Sequence, residues 1–472
     1  MKFHGWKHSS GAASTQRGDH PQHPPNAVPI TAPNTLAEEI DLRGIVLGTA
    51  SAALQIEGGD RNNDWEEWSR TPGNIADGSS PVRATDHWNR WREDNQLMQA
   101  MGLRAARLGV EWARIEPSPG VFDHAAIDHY REEIGDLVDR NIAPLVTLHH
   151  FVNPVWFATR GGFTNSESRG AFLRYVRTVV DALGDLVTDW VTINEPNVYA
   201  TQAHLFGEGP PANRSWRDTM RVLRHTAISH IGAYDLIHEL QGERANVGFA
   251  HHARAFAPRN RNNRFHRATS AIARKLFQDI IAEAMLTGTF HPAIGGNWRS
   301  GVRQGRYYDY LGLNYYSRTA IDKLDDGTFP GVAVNDLGWE IYPQGLVDCA
   351  RDLIERYDAP VWITENGTCD NGNPTTGQLE RFRSRFIVDH LTAIANSGLD
   401  IPRYYHWCFV DNWEWNLGEK PRFGLVHLDY DTQQRSPKPS AELLGELSRT
   451  GTITRDLYAR YIAGISYPQA PA

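Results

Sequence analysis

The chain has 472 residues, 40% of them hydrophobic, enough to bury a large core as one elaborated α/β barrel or as two or three ordinary domains. Its formal net charge is −8, with acidic and basic residues mixed along the chain, so there is no basic face of the kind that nucleic-acid phosphates demand. No apolar run is long enough to span a bilayer, and no membrane partner is expected.

Residues 1–33 are rich in His, Ser, Gly and Pro and lack the apolar stretch of roughly seven residues or more that a signal peptide needs. Residues 1–42 are therefore expected to be a flexible extension and 43–472 a single folded domain. The expected compartment is the cytoplasm, with secretion by an unrecognised route as the alternative. From Arg43 onward, short apolar runs alternate with longer amphipathic stretches. The strand-like runs are 45–50, 105–110, 144–149, 190–194, 246–250, 310–314, 361–364 and 404–409. Several are apolar at consecutive positions, as strands buried on both faces should be. Between them lie helix candidates at 86–101, 127–140, 168–183, 217–240, 268–285, 345–357 and 378–396. In the sixth of these, Leu346, Val347, Ala350, Leu353 and Ile354 have the spacing of one buried helical face.

Eight strands alternating with helices argue for a single (β/α)8 barrel of the TIM type with long βα loops. A doubly wound open sheet would need a glycine-rich phosphate turn after the first strand. The segment starting at Gly48 lacks the G-x-G-x-x-G spacing. Three cysteines (Cys349, Cys369 and Cys408) cannot all pair and match no zinc spacing, so they are read as reduced thiols.

Barrel chemistry sits at the C-terminal ends of the strands. Those ends are polar here: Gln55 and Glu57 after the first, Glu111 and Trp112 after the second, His149-His150 at the third and Asn194-Glu195 at the fourth. His251-His252 follow the fifth, Asn314-Tyr315-Tyr316 the sixth and Glu365-Asn366 the seventh, and the eighth runs through Trp407 to Asp411. One strand-end Glu is most simply a rim salt bridge. Two, Glu195 and Glu365, on strands that face each other across a closed barrel, match the pair that glycoside hydrolysis needs.

Thr192-Ile-Asn-Glu-Pro196 and Ile363-Thr-Glu-Asn-Gly367 resemble the acid/base and nucleophile signatures of glycoside hydrolase family 1. Gln55-Ile-Glu-Gly58, Thr147-Leu-His-His150, Gly312-Leu-Asn-Tyr-Tyr316, Gly338-Trp-Glu-Ile-Tyr-Pro343, Asp411-Asn-Trp-Glu-Trp415 and Arg422-Phe-Gly-Leu425 are similar to further family segments, in the family's order.

That resemblance implies a retaining exo-β-glycosidase acting on terminal β-D-glucosyl residues, with β-galactosyl and β-fucosyl as alternatives. It implies a catalytic barrel over 43–472, no cofactor and no metal. Glu365 would be the nucleophile, its pKa held down by Arg107, with a hydroxyl bond from Tyr316; Tyr315 is read as packing. Arg107 is equally an ion pair inside the barrel. Glu195 would be the acid/base, its pKa raised by Glu365 roughly 5 Å away. Asn194 would meet the sugar 2-hydroxyl. Gln55, His150, Glu414 and Trp415 resemble the glycone-binding set, with Trp407 as the ring under the sugar; core packing is the other reading of both rings. Trp339 is a candidate for the aglycone side or a loop anchor.

Two positions depart from the family pattern. Phe151 stands where Trp is common, and Val152-Asn153 replaces Asp-Leu, which bears on glycone preference or loop shape. Adjacent histidines point to opposite faces of a strand, so His149-His150 and His251-His252 are not read as metal sites. The basic loop 259–267 is read as solvated surface. Glu414 argues against a 6-phosphoglycoside, whose phosphate it would repel. A transglycosidase acting on a natural-product aglycone and a non-catalytic sugar-binding relative are the remaining alternatives. The expected partner is a β-glycoside, and the oligomeric state is not legible.

Overall fold

The computed structural model describes residues 27–323 and 325–471. Eight parallel strands close into a barrel: Val46–Ala50, Ala105–Gly109, Ala143–Thr147, Asp189–Asn194, Asn246–Pro258, Leu311–Asp322, Val361–Gly367 and Arg403–Trp407. Each pairs with the next, and the last returns to the first in register Arg403↔Val46 to Trp407↔Ala50. Every residue of the second, fourth and seventh strands is buried. Such strands have no solvent face, which is why they read as apolar runs rather than alternating ones. Strand contact is tight at the mouth: a Cβ at Gly367 would collide with the Trp407 carbonyl of the next strand. No helix among the described residues is long and apolar enough to cross a membrane.

The surrounding helices follow their amphipathic faces. In Pro343–Tyr357, Leu346, Val347, Ala350 and Leu353 are buried, while Ile354 is only half-buried at the edge of the core. Pro343 occupies the first turn, where its missing N–H costs nothing. Residues 268–285, expected as one helix, form Arg264–Arg274 and Ile280–Thr287 joined by a π turn, Lys275–Asp279. The helix that follows the eighth strand, Pro439–Thr450, completes the ring by packing against His87–Met101 and Arg383–Ala395.

The fifth and sixth strands run well past their expected ends. Beyond the barrel they continue as a paired ribbon, from Ala255↔Arg318 to Pro258↔Ile321, to which Asp325–Gly327 adds antiparallel. Outside the barrel one ribbon face meets solvent, so the apolar signal stops while the hydrogen-bond ladder continues.

The expected flexible extension, 1–42, lies partly outside the described residues, and its described end differs from expectation. Ala32 and Leu42 are buried, Ile40–Asp41 pairs antiparallel with Thr452–Ile453, and Thr31 bridges Ser466. The fully buried Arg385 donates to the carbonyls of Pro29 (2.5 Å) and Ile30 (2.6 Å). A buried guanidinium needs acceptors, and the tertiary fold draws them from this segment. Relative to a chain beginning at residue 27, one beginning at residue 37 is expected to lose about 1–3 kcal/mol of stability, because Arg385 Nη2 loses its carbonyl acceptor while Nη1 keeps only that of Ile465. Thermal melting of the two chains would show this, and coincident melts would mean that Ile465 and Asp389 satisfy Arg385 without this segment.

Candidate active site

At the C-terminal end of the barrel lies a cavity of about 390 Å³. Glu365 ends the seventh strand, fully buried. Arg107 Nη1 donates to its Oε1 (2.5 Å) and the Tyr316 hydroxyl to its Oε2 (2.6 Å). Arg107 is itself fixed: its Nε donates to Thr147 Oγ1 (3.0 Å) and its Nη2 to Asn194 Oδ1 (2.7 Å). The arginine thus reads the ends of the third, fourth and seventh strands at once.

Glu195 follows the fourth strand in a left-handed backbone conformation, φ 42°. Non-glycine residues held there cost about 1–3 kcal/mol and persist where the surroundings over-determine them. Pro196 then opens the helix Pro196–Thr201. Glu195 Oε1 accepts from His252 Nδ1 (2.9 Å) and from Asn314 Nδ2 (2.8 Å). Arg254 Nε donates to His252 Nε2 (3.3 Å), which leaves the imidazole proton on Nδ1, toward the carboxylate. Asn314 also donates to Asn194 Oδ1 (3.0 Å), so Glu195, Asn314, Asn194, Arg107 and Glu365 form one hydrogen-bonded chain across the barrel mouth.

Electrostatics in this free site run opposite to the sequence expectation. Burial pushes the Glu365 carboxyl up to about 7, against the pull of Arg107; the nearby charge of Glu195 adds to the rise. Glu195 is buried too, which raises it, but His252, Asn314 and Arg107 outweigh burial and bring it below the usual glutamate range. Two buried carboxyls in mutual repulsion keep a proton between them near neutral pH.

Of the other residues singled out in the sequence, His150, Trp339, Trp407, Glu414 and Trp415 line the cavity together with Glu195, Tyr316 and Glu365. His150 Nε2 accepts from Asn194 Nδ2 (3.0 Å), and its buried Nδ1 has no hydrogen-bond partner among the described residues. Burial, with Arg107 and His149 nearby, holds its pKa well below the usual histidine value, so it is a neutral ring with one N–H to offer. Trp407 and Trp415 flank the same imidazole at 5.9 and 6.0 Å. Trp407 Nε1 donates to Glu414 Oε1 (3.3 Å); burial pushes the Glu414 carboxyl up to about 8, with Glu365 adding repulsion. Trp339 packs edge-on to Tyr316 (5.9 Å). Arg107 and Asn194 are both buried at the barrel mouth and hydrogen-bonded to each other. Gln55, fully buried, donates to the Trp413 carbonyl (2.9 Å) and to Asn412 Oδ1 (3.2 Å), and its Oε1 has no hydrogen-bond partner among the described residues.

Several strand-end polar groups turn out to be scaffold. Glu57 holds Arg114 and Tyr130, Asp411 pairs with Lys438 Nζ (2.7 Å), and Asn153 bonds Asp64 and Tyr199. Tyr315 bonds the Tyr342 carbonyl (2.8 Å), in keeping with packing. The three cysteines are unpaired. Among the described residues no group of three or more His, Cys, Asp or Glu side chains is placed to hold a metal ion. Sequence reasoning placed His252 at a strand end but gave it no role beside Glu195, and it passed over Arg254. Their signal was present: on an extended strand both face the same way, next to the end of the fourth strand.

The sequence model of Glycosyl hydrolase family 1 matches residues 42–452. A β-glucosidase from Agrobacterium sp. is 30% identical over 452 residues, covering 89% of this chain and 97% of that protein. Among solved structures, the β-glycosidase from Pyrococcus horikoshii superposes with a TM-score of 0.78 at 31% identity, covering 91% of this chain and 98% of that one. The β-glucosidase from Thermotoga maritima in complex with glucoimidazole gives a TM-score of 0.80 at 27% identity, covering 87% and 99%.

Proposed function

From the premise that this chain belongs to glycosyl hydrolase family 1, and so is a glycoside hydrolase, we propose that it is a retaining exo-β-glycosidase removing terminal β-D-glucosyl residues. The observation that carries the proposal is the hydrogen-bonded chain joining Glu365 to Glu195 across the mouth, each carboxyl held by its own donors.

In the first step a Glu365 oxygen attacks the anomeric carbon as the bond to the aglycone oxygen breaks. Glu195 gives its proton to that oxygen. With Oε1 occupied by two donors, the proton resides on Oε2. Substrate fixes the distribution of the shared proton: positive charge growing at the anomeric carbon favours ionised Glu365, and the leaving oxygen favours protonated Glu195. Once Glu365 is esterified its charge is gone, and Glu195, ionised by the transfer, takes a proton from water as that water attacks the intermediate. Two inversions leave a β-sugar. Arg107 and Tyr316 position the nucleophile. Asn194 Oδ1 is occupied by Arg107 and Asn314, so its remaining amide N–H is the group offered to the sugar 2-hydroxyl.

The glycone pocket is built from His150 Nδ1–H, the Trp407 ring, Trp415 and Glu414, with Gln55 Oε1 behind them. Unpaired polar groups in a buried pocket favour a ligand that supplies hydroxyls. Release of nitrophenol from aryl β-glucoside, β-galactoside and β-fucoside tests the reading, with glucoside expected to be turned over and the first-formed sugar expected to be β by NMR. A first-formed α anomer would overturn retention, and inertness toward all three would overturn the reading as a whole.

Glu414→Ser is expected to reduce kcat/KM on glucosides by about 10- to 150-fold where the carboxyl is ionised, the worth of a hydrogen bond to a charged group, about 1.5–3 kcal/mol. Because this carboxyl titrates near 8, the ratio of parent to variant should be larger at pH 9 than at pH 6. The same change removes a repulsive charge, so a 6-phosphoglucoside should become a better substrate. A pH-independent ratio of one would remove Glu414 from the pocket assignment.

A further inference from the structure

The family match ends at residue 452, yet Ala470 and Pro471 line the catalytic cavity. The route between is well defined. After the helix Arg455–Tyr461 the chain is clamped at Tyr467, a buried residue. Its N–H donates to the Ile30 carbonyl (2.9 Å), its hydroxyl to Asp389 Oδ2 (2.8 Å), and the Arg385 guanidinium lies 3.9 Å from its ring centroid. From that clamp the last residues add an edge to the loop that follows the sixth strand. Val334 N–H donates to the Pro468 carbonyl (2.9 Å), Ala470 N–H to the Val332 carbonyl (2.9 Å), and Gln469 Nε2 to the Gly331 carbonyl (2.8 Å). Ala470 thereby packs into a small apolar cluster with Phe329, Val332 and Val334.

The cavity therefore has two chemically distinct ends. The inner end is the glycone pocket around Glu365, Glu414 and Trp407. The outer end is walled by Phe329, Val334, Leu337, Trp339, Ala470 and Pro471. The charged residues that line the same cavity are engaged within the protein: Arg254 and Asp326 lie 3.6 Å apart, Arg318 pairs with Glu340, and Arg259 Nη1 donates to the Thr328 carbonyl (3.0 Å). An apolar wall beside charges already engaged within the protein rewards a polar aglycone less than it rewards the removal of an apolar one from water.

Resting on the glycosidase reading above, we propose that residues 468–471 are a specificity element: they complete the outer wall of the aglycone site and select β-glycosides whose aglycone is an apolar aryl or alkyl group. The inner chemistry is untouched by them, so their effect falls on aglycone binding and not on the covalent step.

The test compares the full chain with a chain ending at Tyr467, which keeps the clamp, and with Ala470→Asp, which keeps the backbone pairing and places a charge on the apolar wall. Substrates are a naphthyl β-D-glucoside, methyl β-D-glucoside and cellobiose. Expected in both variants is a fall of about five- to twentyfold in kcat/KM for the naphthyl glucoside, carried by KM, a range set by the loss of one or two apolar contacts. Methyl glucoside and cellobiose should stay within about twofold. Should the shortened chain melt early, Ala470→Asp decides alone. An equal loss on all three substrates would make the tail mere scaffold, a loss on cellobiose alone would mean a polar aglycone, and no loss would remove the tail from the site. Each of these overturns the inference while leaving the glycosidase reading standing, whereas a full chain inert toward all three overturns both.

Discussion

Glu365→Gly is expected to abolish turnover of ordinary β-glycosides, with kcat falling by at least about 10⁵-fold, because no covalent intermediate can form. The structure adds what remains. The substitution leaves Arg107 and Tyr316 aimed at an emptied, buried position with no carboxylate to satisfy them. A small anion entering there recovers the ion pair, so azide or formate should bind and attack an activated aryl glucoside from the vacated face. Azide attacking from that face inverts the anomeric centre once and yields the α-glycosyl azide. Removing one partner of a buried pair also destabilises, by about 3–5 kcal/mol, and the same anions should recover part of it in thermal melts. Turnover without added anion, once contaminating parent enzyme is excluded, would remove Glu365 from the nucleophile's role.

Glu195→Ala is expected to separate the two steps. Dinitrophenyl glycosides need little protonation, so their glycosylation should persist, while substrates with poor leaving groups should slow by about 10²- to 10⁴-fold. Deglycosylation loses its base, and azide should accelerate it by attacking the intermediate from the water's side, giving the β-glycosyl azide. The pH profile carries a second signature. In the parent, kcat/KM requires one proton on the pair, so activity falls as pH rises and that proton is lost, near the value of about 7 to which Glu365 is pushed. Glu195 contributes to that rise by repulsion. Without it the Glu365 carboxyl titrates below that value, and the alkaline limb disappears. Identical azide anomers from the two variants, or an alkaline limb that survives in Glu195→Ala, would contradict the assignment.

The sequence by itself determined the barrel and its rim. Strands buried on both faces, such as Asp189–Asn194 and Val361–Gly367, appear as mainly apolar runs because a polar residue along them, such as Thr192 against His230, needs a buried partner. The polar residues permitted at their ends then stand out, and the segments around Glu195 and Glu365 could be matched as short contiguous motifs. The tertiary structure alone decided what depends on long-range contact. His252 meets Glu195 from the neighbouring strand, and two donors converge on one of that carboxylate's oxygens. The order of the two carboxyl pKa values reverses because it is a sum of burial and charges from four strands, none of them local in sequence. Residues 29–32 were expected to be flexible from their composition. They dock because the buried Arg385, which also pairs with Asp389 and donates to the Ile465 carbonyl, takes its remaining acceptors from the Pro29 and Ile30 carbonyls. The tail, composed of ordinary polar and small residues, becomes cavity wall only through backbone pairing with the loop at Val332–Val334. Backbone hydrogen bonds leave little trace in the identity of the side chains that carry them.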